Sequence, residues 1–200
     1  RIKEHTIKNI RINLKNMKNL IVFALLFSAQ IAIGQKYFSK TGKISFYSEA
    51  AMEKIEGHNT SASTVIDAST GAVEWGVLIQ GFKFEKSLMQ DHFNENYMES
   101  SIYPKAKFKG KIDNLAIVNF SKDGQYNVNV TGALEIHGVT KTVTTPAVIT
   151  IKGGAVSARS KFAVAIADYK IEVPKLVAEN IAEKVNIEII ADYQLMNPVP

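Results

Sequence analysis

Residues 122–151, KDGQYNVNVTGALEIHGVTKTVTTPAVITI, decide the fold of this 200-residue chain. Tyr126, Val128, Val130, Leu134 and Ile136 alternate with Asn127, Asn129, Thr131 and Glu135, a period of two that puts the apolar side chains on one face of a strand. His137-Gly138-Val139-Thr140 then reverses the chain, and Val143, Ala147, Ile149 and Ile151 take up the same alternation. So tight a reversal predicts a positive φ at Gly138, which a side chain would disfavour. Pro146 cannot donate to a strand ladder and is expected at an edge or bulge. At the start of the stretch, Lys122-Asp123-Gly124-Gln125 carries the Asp-Gly turn signal.

Downstream, Gly153-Gly154 reverses the chain again into Val156, Ala158, Phe162, Val164 and Ile166, so three antiparallel strands are sequential neighbours. Residues 168–180, with Pro174, read as a loop or short helix, and residues 185–195 as a last strand. Upstream, Ile44, Phe46 and Ser48 share one strand face, opposite Lys43, Ser45 and Tyr47. Residues 55–67 are less regular, rich in Ser and Thr, and end in a turn composition, Asp67-Ala68-Ser69-Thr70-Gly71. Val73, Trp75, Val77 and Ile79 are apolar at odd positions, whereas Leu78, Phe82 and Phe84 are apolar at even ones. A bulge or sharp bend at Gly81 accounts for that change.

Between Phe82 and Phe108 a strand pattern gives way to a helical one and returns. Ser87 with Gln90 has the form of a capping box, and Leu88, Met89, Phe93 and Tyr97 make one soft apolar stripe at helical spacing. Pro104 ends the helix. Ala106, Phe108 and Gly110 then alternate with Lys105, Lys107, Lys109 and Lys111, giving a strand with one oily and one cationic face. The count is about eight strands and one inserted helix. At that number an antiparallel sheet can close around a single small ligand.

The amino-terminal segment has a different character. Residues 1–16 are basic and of low complexity and read as an upstream extension. Residues 17–34 read as a signal peptide: Met17-Lys18, an apolar run from Leu20 to Phe27, and small residues at alternate positions in Ala32-Ile33-Gly34, with cleavage expected before Gln35. The apolar segment is broken by Ser28 and Gln30 and falls short of the ~20 residues a spanning helix needs, so no stable membrane anchor is expected after cleavage. The chain has no cysteine, hence neither an acylation site for a lipoprotein nor a disulfide. A periplasmic product is the expectation.

The first 34 residues hold six of the 24 Lys and Arg and one of the 19 Asp and Glu, which leaves 18 of each sign from Gln35 onward. The basic balance of the whole chain therefore belongs to the leader. No domain-wide positive field remains to attract a nucleic acid. Residues 35–200 suit one domain with a sizeable core, and no Pro, Gly or Ser-rich linker divides them.

Two stretches resemble the YceI-like family of lipocalin-like, polyisoprenoid-binding proteins. Residues 132–141, GALEIHGVTK, are similar to that family's G-x-L-x-I-H-G-V-T-K strand and turn, and residues 103–108, YPKAKF, to its Y-P-x-A-x-F. The resemblance spans roughly Tyr37 to Gln194. It implies an eight-stranded antiparallel lipocalin-like β-barrel, all-β but for one short helix inserted as a lid, with a hydrophobic lumen for an isoprenoid chain. The chain departs from the family between Ser87 and Ser101, where many members carry a basic-acidic pair and a run of leucine and serine.

The candidate ligand-binding residues are Phe46, Trp75, Phe84, Met89, Phe93, Tyr97, Phe108, Leu134 and Ile136. Each could equally be ordinary core, because in a small closed barrel core and pocket share one space. His58, His92 and His137 show no metal-ligand spacing. Adjacent Asp91 and His92 point about 100° apart on a helix, and no nucleophile motif accompanies them. No catalytic residue, metal or cofactor is expected. The expected partner is an isoprenoid or other apolar lipid, the rivals being an envelope interaction module with a packed core and a cavity enzyme. The sequence leaves monomer and homodimer open.

Overall fold

The computed structural model describes residues 35–196. The extension and signal peptide expected over residues 1–34 lie outside the described residues. Eight strands follow one another around a closed barrel: β1 (Lys36–Glu49), β2 (Lys54–Asp67), β3 (Ala72–Leu78), β4 (Lys105–Ile112), β5 (Gly124–Ile136), β6 (Val139–Lys152), β7 (Ala155–Ala165) and β8 (Lys184–Leu195). Every pairing is antiparallel, and β8 closes on β1 through Ile44 opposite Ile189 and Phe46 opposite Ile187. One short helix, α1 (Ser87–His92), sits in the β3–β4 connection. The expected architecture holds.

Up-and-down order divides the connections between two ends. The β1–β2, β3–β4, β5–β6 and β7–β8 connections lie at the end that carries α1, here called the lid end. The far end holds the tightly packed core, in which Tyr37, Ile66, Ile112, Ile149, Val156 and Tyr193 are all buried. Apolar side chains fill one end of the barrel and only line the other.

The β5–β6–β7 region follows its alternation. Ile136 pairs with Val139 around His137 and Gly138, whose φ angles are 51° and 69°. Two consecutive positive values make the turn whose twist suits a two-residue hairpin. Gly138 is doubly constrained, since an added Cβ would stand 2.5 Å from the Tyr103 ring. Pro146 pairs with Asn129 of β5, and β7 joins β6 only from Ala147 onward, so Pro146 has the local edge it needs.

One expectation needs correction and two take definite form. Asp123-Gly124 is no hairpin turn: β4 ends at Ile112, and a longer loop with a short 3₁₀ turn, Leu115–Ile117, precedes β5. Asp123 instead accepts hydrogen bonds from the Gly153 N–H at 2.9 and 3.0 Å and so pins the β6–β7 turn. The sharp bend expected at Gly81 is a 3₁₀ turn, Ile79–Gly81, which makes the parity change and after which Lys83 bridges to His58 of β2. Residues 55–67 lie in one strand, β2, whose pairing with β1 is irregular, as their sequence pattern suggests. Their inward positions include Gly57, Asn59, Ala62 and Thr64, all buried, with register shifts opposite Gly42 that move the inward face from odd to even numbers.

Asp67 closes the β2–β3 turn. Its Oδ1 accepts from Ser69 N–H at 2.9 Å, Ser69 Oγ at 2.6 Å and Thr70 N–H at 3.1 Å. The Ser69 hydroxyl above all, then the two backbone N–H groups and Lys36, hold its carboxyl below the usual carboxylate range. A lowered folded-state pKa stabilises at pH above the unfolded value of about 3.9, and the contribution is lost as pH falls through the lower folded value. Asp67→Ala should therefore cost about 1 kcal/mol at neutral pH, or about 3 °C in Tm for a domain of this size. Thermal melts across pH should show the gap between the two proteins closing in acid.

Candidate functional site

The lid begins without the expected capping box. Lys86 is extended and holds the position before the first turn, so Ser87 already lies inside the helix, and no side chain caps α1. After His92 the helix widens: residues 93–97 form a π turn closed by Met98 N–H donating to Phe93 O at 2.9 Å. The widening changes which residues face inward. Leu88 is 62% exposed, whereas Met89, Phe93 and Tyr97 stay on the inner face and Met98, at 7% exposure, joins them.

Phe93 is the lid's anchor. Its ring stacks on Phe46 of β1 with centroids 5.3 Å apart, and lies 5.6 Å from Phe82 and 4.9 Å from Phe84. Such pairs add about 0.5–1.5 kcal/mol each beyond area burial. The carboxyl-terminal end of the lid is tied separately. Glu99 Oε2 lies 2.8 Å from His137 Nε2, an ion pair when the ring is protonated, and His137 Nδ1 lies 3.2 Å from the carbonyl oxygen of Tyr169. Tyr103 stands edge-on to the same imidazole at 4.5 Å. Glu99, His137 and Lys170, which follows Tyr169, are the non-glycine residues of positive φ among the described residues. Three strained positions thus converge on one clasp between lid, β5–β6 turn and β7–β8 connection.

Under the lid lies a cavity of about 520 Å³, within the 300–1,000 Å³ typical of small-molecule pockets. All nine sequence-chosen residues, Phe46, Trp75, Phe84, Met89, Phe93, Tyr97, Phe108, Leu134 and Ile136, stand on its wall. Sequence reading missed a second group, Ile166, Ile171, Val173 and Val177 from the β7–β8 connection, which also line it. Ile171, Val173 and Val177, apolar at spacings of two and four, were the available signal, masked by Pro174 and flanking charges.

Most polar groups keep to the rim or are satisfied, the exception among the described residues being Asn94 Oδ1 of the lid, which is buried without a partner. Glu53, Lys86 and His92 stand at the mouth, where burial and the Glu53 charge push the Tyr97 phenol up. Buried Ser48 accepts from Ala182 N–H at 2.8 Å. Asn59, 1% exposed, donates to Leu78 O at 3.1 Å and accepts from Ser61. Tyr193 pairs with Thr64 Oγ1 at 3.1 Å, its phenol raised by burial. Among the described residues no cluster of three or more His, Cys, Asp or Glu could hold a metal ion, and no helix is long and apolar enough to cross a membrane. His58 lies outside the barrel against Ser45 and Glu56, and Asp91 and His92 are exposed on the lid.

The model of the YceI-like domain family matches residues 36–192. No curated protein matches the sequence. Among solved structures, a polyisoprenoid binding domain from Saccharophagus degradans, implicated in plant cell wall breakdown, superposes with a TM-score of 0.70 at 15% identity, covering 82% of this chain and 99% of that one. Burkholderia cenocepacia BcnA gives 0.62 at 20% identity over 76% of this chain and 96% of its own. The Campylobacter jejuni YCEI protein gives 0.58 at 17% identity over 75% and 90%. At these identities the likeness shows a shared fold.

Proposed function

We propose that this chain, which belongs to the YceI-like domain family, holds an isoprenoid or similar long apolar chain in its lumen and carries, stores or sequesters it unchanged. The observation that carries the reading is the lid-end cavity of about 520 Å³, walled mostly by aliphatic and aromatic side chains; of its lining Glu, Lys and His residues, Glu53, Lys86 and His92 stand at the mouth and Lys107 turns its ammonium to Glu135 at 3.1 Å. An apolar chain gains about 0.8 kcal/mol per buried CH₂ and needs few directional contacts. A polar head would stay at the rim beside Glu53, Lys86 and His92. The solved relative from Saccharophagus degradans, described as a polyisoprenoid binding domain, supports this ligand class. Exposed Met52, Leu88 and Leu176 on three lid-end segments suit a mouth through which a lipid enters. The apolar run from Leu20 to Phe27 supports a periplasmic site of action after removal of residues 17–34.

Native mass spectrometry of protein purified from its host tests the proposal. The expected species is a polypeptide beginning at Gln35 with one lipid bound. A bare protein would favour an interaction module, and a lipid returned chemically altered would favour an enzyme. Met89→Gln, a polar side chain of similar shape on the ligand-facing side of the lid, should lower lipid occupancy more than it lowers the Tm of the delipidated protein. Full occupancy in a plainly destabilised Met89→Gln protein would make Met89 core.

A further inference from the structure

Beneath the lid-end cavity lies a second one of about 80 Å³, and the two share five lining residues: Trp75, Phe108, Leu134, Phe162 and Ile189. These side chains make a constriction around the lumen. Trp75 of β3 pairs with Phe108 of β4, which pairs with Leu134 of β5, so three of them form one row across neighbouring strands. Phe162 and Ile189 face that row from β7 and β8. The indole of Trp75 is held in place from β1, because it lies over Gly42, where even an added Cβ would come within 2.9 Å of Cζ3. The space below, lined among others by Ala147, Ile149 and Ala158, exceeds what a water molecule needs yet has mostly apolar walls. A chain able to pass the constriction would gain burial there.

We propose that this ring, with Trp75 as its largest member, is the floor of the ligand chamber and sets the length of apolar chain that the protein accepts. The inference rests on the carrier reading above. A tail that reaches the ring has nowhere further to go, so each additional unit must fold back or protrude from the mouth and adds no affinity. Replacing the indole by a smaller group joins the two cavities and lets a longer tail in. Enlarging another ring member raises the floor.

The test is a titration of the delipidated protein with prenyl alcohols rising one isoprene unit at a time from geraniol, read by native mass spectrometry. In the parent protein affinity should climb along the series and stop at the member that fills the chamber. In Trp75→Leu it should stop at least one member later, with a gain of about tenfold or more for that longer alcohol. In Leu134→Phe it should stop earlier, and this variant carries the test if Trp75→Leu does not fold. A single stopping point shared by parent and variants overturns the inference while leaving the carrier reading intact. Failure of the parent protein to bind any alcohol overturns both.

Discussion

Gly132→Val is expected to abolish the cooperative unfolding transition, with a cost of about 4 kcal/mol or more. Gly132 of β5 sits directly opposite Gly110 of β4. An added Cβ at Gly132 would collide with the Gly110 Cα and would stand 2.5 Å from Lys109 O and 2.7 Å from Phe108 Cζ. Two of those neighbours are backbone, so no rotamer change relieves the contact, and β4 and β5 would have to part. The phenyl ring of Phe108 lies over both glycines and covers the side-chain-free patch from the lumen. Gly76→Ala is the matched control, because an added Cβ there meets nothing within 4 Å. It should change stability by no more than about 0.5 kcal/mol. Thermal melts followed by far-ultraviolet circular dichroism distinguish the two. A Gly132→Val protein that melts like its parent would mean that the β4–β5 contact yields without cost.

That pair of glycines also shows why some of the barrel was legible in sequence and some was not. Along β5 the inward Tyr126, Val128, Val130, Leu134 and Ile136 mark the alternation, Gly132 being the one gap, and β6 and β7 run as their patterns say. In β2 the inward face moves from odd to even numbers, and between Ile55 and Ile66 at its ends the four inward residues Gly57, Asn59, Ala62 and Thr64 carry no hydrophobic period. They are small because partner strands supply the bulk: a Cβ on Gly57 would run into the Phe46 ring. Phe46 lies directly opposite Gly57 across the β1–β2 pair, and a residue whose smallness makes room for a ring on the next strand leaves no local signature of its burial, so only the folded barrel reveals it.

All nine residues chosen from the sequence line the cavity. Phe46, Trp75, Phe108, Leu134 and Ile136 do so because large apolar residues at alternate strand positions must face the lumen once the sheet closes, and the other four reach it from the β3–β4 connection. Tertiary partners were not legible. His137 stands in a tight turn whose sequence names no partner for its ring, which meets Glu99 and the carbonyl of Tyr169, both distant in sequence. The Ser87–Gln90 spacing suggested a cap, but the helix begins after Lys86, one residue earlier than that motif requires. Short motifs register what a local segment could do, and the end-to-end fit of the lid on the barrel decides which option is used.

Phe46→Ala should separate the two ends of that lid. Phe46 holds Phe93 by stacking and also touches Phe82 at 5.6 Å and Phe84 at 5.7 Å, so its removal empties the centre of an aromatic cluster. Because the ring is half-buried, the cost belongs at the low end of the range for such truncations, about 3 kcal/mol, or about 9 °C in Tm for a domain of this size. Phe46→Leu, which refills part of the space, should recover more than half of it. The lid should respond more than the barrel. With Phe93 unsupported, amides of residues 87–97 should exchange with solvent faster by a larger factor than those of β5 and β6, since a segment with few remaining buried contacts opens locally before the whole domain does. If instead the Tm falls while exchange over residues 87–97 keeps pace with that of β5 and β6, the aromatic cluster supports the barrel as a whole, and the clasp of Glu99 on His137 is what keeps the lid shut.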